Sequence, residues 1–193
     1  MEQNFWQKNK TLIIILVVVL ILVSWVIGKY NSFVVQNVGI DNQWAQVENQ
    51  LQRRFDLIPN VINTVKGITK QEKDVFGALA EARTRYAGAT TVDEKAAAAG
   101  QVETSLGRLL VIAENYPELK SSQSFRDLTV ELEGTENRIA VERMKYNDLV
   151  KNLNTSVRVF PSSILASIFN VVERSYFEIT DGAEVVPKVD FTQ

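Results

Sequence analysis

Histidine and cysteine are both missing from this chain of 193 residues. Without imidazole, no side chain titrates near neutrality unless its surroundings move it, so acid–base catalysis would need a strongly shifted carboxylate or lysine. Ser-His and Cys-His nucleophile pairs are excluded. So are zinc sites built on imidazole or thiolate, and the Glu-x-x-His pairs of helical di-iron centres. A carboxylate-only site for a hard cation would need a loop that concentrates such ligands, and the sequence contains none. Nor is there a glycine-rich loop to cradle phosphate. With 21 basic and 23 acidic residues the net charge is −2, which leaves no basic footprint for nucleic acid. The lack of thiols also removes disulfides as a means of stabilising an exported domain. The expectation is a protein that is not an enzyme, holds no cofactor and no metal, and binds no nucleic acid.

What the chain does contain is one uninterrupted apolar run, TLIIILVVVLILVSWVIG, at residues 11–28. A helix of that length spans about 27 Å, close to the hydrocarbon thickness of a bilayer. Trp6 on one side, and Trp25 and Tyr30 on the other, stand where amphipathic rings favour the interface. Lys8, Lys10 and Lys29 can reach toward headgroups. A cleaved signal peptide would have a shorter apolar region ending in small residues, whereas this run closes on SWVIGKYNSF. The run is therefore expected to be an uncleaved anchor, and the lipid bilayer is the first partner. Lys8 and Lys10 precede the span and only Lys29 follows closely. That balance favours a cytoplasmic N-terminus and an extracytoplasmic bulk domain, in a single-pass protein of the cell membrane. The expected organisation is a short flank at 1–10, a transmembrane helix at 11–30, a helical body at 31–180 and a poorly ordered tail at 181–193.

Beyond the run, apolar residues recur at alternating steps of three and four. Phe33, Ile40, Trp44, Val47, Leu51, Phe55, Ile58, Ile62 and Val65 form one helical stripe. Pro59 either kinks this helix or opens a new one from its first turn. Neither a Gly-Pro pair nor a charged cluster separates Trp25 from Asp41, so the same helix is expected to begin as the membrane span. A second helix is expected over 69–86, unless it continues the first past Gly67. Val75, Leu79, Ala82 and Tyr86 then face inward, with Glu81 paired to Arg85 outside. AGATTVD at 87–93 breaks the chain, and Thr91 or Asp93 can cap a third helix over 92–115. Leu106, Leu109, Leu110 and Ala113 are its inward residues, and Pro117 ends it. Its AAAAG patch at 96–100 permits close helix approach, although filler near a loop is the plainer account.

A fourth helix, the longest that is clear from the pattern, is capped by Ser121 or Ser124 and runs to Pro161. It carries Phe125, Leu128, Leu132, Thr135, Ile139, Glu142, Tyr146, Leu149, Leu153, Val157 and Phe160 at near-heptad spacing. Glu142 either lies at the margin of a precessing stripe or forms a buried pair with an arginine of the first helix. After Pro161, the residues Ile164, Leu165, Ile168, Phe169 and Val172 share one face of a further helix, read as core. A membrane-surface helix would carry more basic residues than Arg174 alone. The fold class is all-α: an N-terminal transmembrane helix followed by an antiparallel long-helix bundle of about four to five helices.

Three segments are more specific than any helix pattern. WAQVENQLQRRFDLIPNVINTVKG at 44–67, ENYPELK at 114–120 and TENRIAVERMKYNDLV at 135–150, with the anchor before Tyr30-Asn31, resemble the LemA family of bacterial membrane proteins. The resemblance extends over residues 12–177. It departs at Leu153-Asn154, where the family often repeats Tyr-Asn, and at Gln71-Glu72, in place of a common His-Glu. Glu142-Arg143 replaces a more usual Ala-Arg. The missing histidine argues against an essential metal there in this chain. The resemblance implies a single-pass anchor and a bundle built around long antiparallel helices, and it implies no reaction.

Read for their own chemistry, the motif residues point to architecture. Arg53, Arg54 and Asp56 precede Pro59 and Asn60, where a missing amide leaves carbonyls in need of donors. An arginine fork can satisfy carbonyls and carboxylates together. Glu136, Asn137 and Arg138 lie midway along the fourth helix, placed to face the first, while Glu114 and Asn115 end the third before Pro117. These groups are expected to form one polar network that clamps the kink. The functional expectation is a non-enzymatic membrane-anchored scaffold, self-associating as a homo-oligomer or binding other membrane proteins. Copies confined to one plane meet at high effective concentration. The alternative is a sensor or adaptor that binds a small ligand or peptide between its helices, although MEQNFWQKN before the span is too short for an output domain.

Overall fold

The computed structural model describes the backbone of residues 3–66 and 73–178, with side chains over 9–65 and 74–178. The side chains of Trp6 and Lys8, residues 67–72 with Gly67, Thr69, Gln71 and Glu72, and the tail at 181–193 lie outside that description. Among the described residues there are six α-helices and no strand: α1 (Gln3–Lys66), α2 (Lys73–Gly88), α3 (Val92–Glu114), α4 (Pro117–Ser121), α5 (Gln123–Arg158) and α6 (Ser162–Ile168). The chain divides into two units. One takes Met1–Asp41 with Leu149–Arg174, the other Asn42–Asp148 with Ser175–Gln193.

In the first unit, α1 carries Leu12 and every residue from Ile14 to Val23 exposed, an apolar surface on all sides. This helix is long and apolar enough to cross a membrane. It stays helical through residues 28–40, where Gly28 and Gly39 cause no break. From Phe33 onward the pattern becomes one-sided: Phe33 and Ile40 are buried, as are Val150, Leu153, Leu165 and Ala166. Ser156 on α5 donates to the Gln36 side chain at 3.3 Å.

α6 is short because its end is locked. Asn170 adopts the left-handed conformation (φ 52°), which asparagine tolerates better than most residues. The Val171 amide donates to the Ala166 carbonyl at 2.9 Å and the Asn170 amide to the Ser167 carbonyl at 3.3 Å, the paired bonds of a Schellman motif. The expected long core helix after Pro161 is therefore corrected. Leu165 and Ala166 face inward, but Ile164 and Ile168 lie on the opposite face, and Val172 falls beyond the helix; all three are exposed. Phe160 is exposed too, since α5 has already ended at Arg158. The backbone then runs without regular structure over 171–178. Asn154 on α5 clasps it: its amide donates to the Arg174 carbonyl and its carbonyl accepts the Arg174 amide, both at 2.9 Å.

In the second unit α1 and α5 are antiparallel, because Gln43 meets Glu142, Arg53 meets Glu131 and Arg54 meets Glu136. Val47, Leu51, Phe55, Ile58, Val61 and Val65 of α1 are buried, as are Leu132, Ile139 and Tyr146 of α5. The helix passes through Pro59 without stopping. α2 packs on α3, with Leu79, Ala82 and Tyr86 buried on one and Val102, Leu106, Leu109 and Ala113 on the other. Ala96, Ala98 and Ala99 are buried, so the small-residue patch belongs to the packing and is not loop filler. Leu110 is exposed, contrary to expectation: the inward positions 102, 106, 109 and 113 keep the three-and-four step, and Leu110 stands about 100° round from Leu109.

The helix ends are chemically defined. Thr91 caps α3 in a full capping box with Glu94. The amides of Thr90 and Thr91 hold the Glu94 carboxyl below its ordinary pKa. Pro117 opens α4 in its first turn, after Tyr116. α5 starts at Gln123, so neither expected serine caps it: the Ser121 hydroxyl donates to the Glu118 carbonyl, and Ser124 lies inside the helix. Asn147 repeats in this unit the device of Asn154. Its carbonyl accepts the Phe177 amide at 2.8 Å and its amide donates to the Phe177 carbonyl at 3.2 Å. The Tyr146 hydroxyl donates to the Ser175 carbonyl at 3.0 Å, and the Phe177 ring packs 5.7 Å from Trp44.

Removing the Asn147 clasp strands one amide and one carbonyl at a position that is otherwise buried. Asn147→Ala should destabilise the protein by about 2 kcal/mol, read by chemical denaturation, with faster amide exchange at Phe177. Asn152→Ala, at an exposed position on the same helix, should stay within about 0.5 kcal/mol of the parent.

Candidate functional site

The polar surface where α1 faces α5 in the second unit holds several of the sequence-selected residues. Arg54 is the most unusual of them. Only 8% exposed, it reaches Glu136 through Nη1, while Nε has no hydrogen-bond partner among the described residues. Its methylene stem can pack along apolar neighbours while the head finds a carboxylate. Glu103 on α3 lies in the same field. Burial, then the Glu136 carboxylate, push its pKa up, and Arg54 and Arg143 pull against that rise. Arg53 pairs with Glu131 at 3.2 Å on the exposed side, and Asp56 accepts from the Gln52 amide at 2.8 Å.

The remaining motif residues lie apart from this pair. Glu114 and Asn115 are exposed at the end of α3, where the Asn115 amide donates to the Ile112 carbonyl at 2.9 Å. Asn60, Asn137 and Arg138 are exposed, with no side-chain hydrogen bond or ion pair among the described residues, and Pro117 serves α4. The structure thus joins Arg54 to Glu136 and Arg53 to Glu131. No hydrogen bond or ion pair among the described residues links these pairs to Glu114 or Asn115. Glu142 is half-buried, and its partners are Gln43 at 2.6 Å and Lys145 at 2.8 Å, not an arginine of α1. Those two hydrogen bonds, the Lys145 one first, lower its pKa.

Beside Pro59 lies an open groove of about 880 Å³ that sequence reading missed. Phe55, Ile58, Pro59 and Ile62 line one side, with Tyr86 and Lys95 opposite. The Phe55 and Tyr86 rings stack with centroids 4.0 Å apart. Lys95 pairs with Glu48, and its ammonium also lies 5.9 Å from the Trp44 and Tyr86 ring centres, within cation–π range. Burial, and then the Glu48 carboxylate, push the Tyr86 phenol up to about 12, so it stays a neutral hydrogen-bonding group. No cluster of three or more potential ligands able to hold a metal occurs among the described residues.

The family model described as the LemA family matches residues 43–191. The chain belongs to the LemA family. Magnetosome proteins MamQ 2 and MamQ 1 of Paramagnetospirillum magneticum are each 23% identical to this LemA-family chain over 186 residues, covering 83% of it and 68% of their own length. Magnetosome protein MamQ of Magnetospirillum gryphiswaldense is 23% identical over 181 residues, covering 80% and 66%. Family membership and the exposed apolar part of α1 together support a membrane-associated helical protein.

Two consequences can be measured. In a double-mutant cycle, Arg54 and Glu136 should show a coupling energy of about 2 kcal/mol, because losing either partner leaves a largely desolvated charge. Arg53 and Glu131, both well exposed, should couple by under about 1 kcal/mol. Glu103 binds its proton more tightly when folded, so its contribution to stability is complete below the ordinary carboxylate range and is lost as pH rises through the folded value. Glu103→Gln should therefore raise the urea midpoint at pH 7, and that gain should vanish below about pH 4.

Proposed function

We propose that this LemA-family protein is a non-enzymatic, single-pass membrane scaffold. Residues 11–30 form the anchor, residues 31–180 the helical body, and the N-terminal flank is cytoplasmic. The observation that carries this reading is α1 itself: the all-round apolar run and the one-sided bundle stripe belong to a single unbroken helix. A helix that is apolar on every side is stable only in lipid or inside a large core, and nothing described covers residues 14–23. The body presents long helical flanks, and anchored copies meet in a plane at high effective concentration, which favours self-association or capture of other membrane proteins. The residues flanking Arg54 and Glu136 hold the body in register in this reading and bind no ligand.

The groove beside Pro59 favours a second reading, in which the body senses a small ligand or peptide. Its volume falls within the range of ordinary ligand sites. Light scattering of the full-length protein in detergent separates the two. A discrete multimer supports the scaffold. A monomer whose melting temperature rises with a ligand supports the sensor. A monomer that also cross-links to no membrane protein in whole cells overturns the scaffold.

The anchor is tested by itself. Each lysine placed mid-span costs about 2.5–3.5 kcal/mol of insertion free energy. The double substitution Leu16→Lys, Leu20→Lys should move the protein from the carbonate-resistant membrane fraction to the supernatant.

A further inference from the structure

The first unit carries a second apolar surface that the anchor does not account for. Residues 159–172 contain no Asp, Glu, Lys or Arg. Phe160, Ile164, Ile168 and Val172 stand 76%, 54%, 63% and 70% exposed. These are not side chains awaiting a core. Leu165 and Ala166 already fill the inward face of α6, and the Schellman bonds at Ala166 and Ser167 fix which face is outward. The segment leaves and rejoins the body at a charged neck, where Arg158 Nε donates to Glu173 at 2.8 Å.

Its position relative to the anchor names the occupant. The Phe169 ring packs edge-on against Tyr30, with centroids 5.0 Å apart, and Tyr30 follows the apolar run by two residues. On α1, residues 30–40 are also free of charge, and Val34, Val35 and Val38 are exposed. Charge returns at Asp41, which pairs with Arg174. Two charge-free stretches thus adjoin the end of the span, each bounded by an ion pair.

We propose that the tip formed by residues 159–172 is seated in the interfacial layer of the same bilayer that holds the anchor, so that the protein grips the membrane twice from one side. The proposal rests on the anchor reading. An interfacial segment buries its apolar face about 5–10 Å into the headgroup boundary. Free in solution, so small a surface with no basic residues would bind lipid weakly. Next to a spanning helix its insertion is intramolecular, and modest apolar area suffices.

The chain has no cysteine, so single thiols can be introduced for an environment-sensitive fluorophore. The full-length protein is reconstituted at low density into phosphatidylcholine–phosphatidylglycerol vesicles containing nitroxide-labelled lipids. Labels at Phe160→Cys and Ile168→Cys should lose emission to the nitroxide lipids, while a label at Lys151→Cys, exposed on α5 in the same unit and on the far side of the Arg158–Glu173 pair, should not. Leu20→Cys reports the anchor. Quenching at Leu20 with none at Phe160 or Ile168 overturns the tip and leaves the anchor standing. No quenching at Leu20 overturns both. Energy transfer between differently labelled copies at Phe160, without lipid quenching, assigns the surface to a second copy and overturns the proposal.

Discussion

On the anchor reading proposed above, one helix has to satisfy two solvents, and the architecture follows from that requirement. In hydrocarbon no water is available to a backbone amide or carbonyl, so every such group must be paired within the helix. α1 meets the demand over residues 11–28 with side chains that are apolar on all sides and no proline. Past Phe33 the surroundings differ and the pattern narrows to one stripe. Pro59, which removes an amide and leaves the Phe55 carbonyl without its helical donor, occurs only in this later part, far from the apolar run. The order along the chain is therefore physical: an uninterrupted ladder where nothing else can compensate, and a breach only where neighbouring groups can.

In the scaffold reading proposed above, charge in the second unit serves register more than raw stability. Arg53 and Glu131 face solvent, so their attraction is screened and offset by the entropy of two long side chains. Arg54 and Glu136 differ because the guanidinium has left water. Its desolvation offsets much of the Coulombic gain, and Arg54 Nε lacks a partner among the described residues. Sliding α5 by one residue along α1 would take Glu136 away from that buried guanidinium, a larger penalty than the pair's net benefit. Glu142 with Gln43 adds a second polar register mark on the same two helices.

What could be read from the sequence was whatever repeats. The stripe from Phe33 to Val65, the inward Leu79, Ala82 and Tyr86, and the long α5 all show the three-and-four step, and each was legible. The Thr91 cap and the Glu81–Arg85 pair were legible because they are local. Family membership was legible because LQRRFDLIPN, ENYP and TENRIA are long and unusual together. Illegible were features set by a single residue or by distant ones. Asn170 stops α6 through one left-handed backbone angle, which periodicity cannot reveal, so the repeat alone places Ile164, Ile168 and Val172 in a core they do not enter. The groove at Pro59 depends on Tyr86 and Lys95 from other helices. Asn147 and Asn154 offered a faint signal, as amides one heptad apart beside the inward Tyr146 and Leu153, but their partners are backbone groups far along the chain.

Those two asparagines have a further effect on how the chain behaves among other chains. Irregular backbone running over 171–178 offers the same bare donors and acceptors as the edge of a sheet, and such edges recruit foreign strands. At Arg174 and at Phe177 a side-chain amide supplies both the donor and the acceptor that a neighbouring strand would have supplied. An irregular segment can thus lie on a helical protein with two of its residues closed to strand-like pairing.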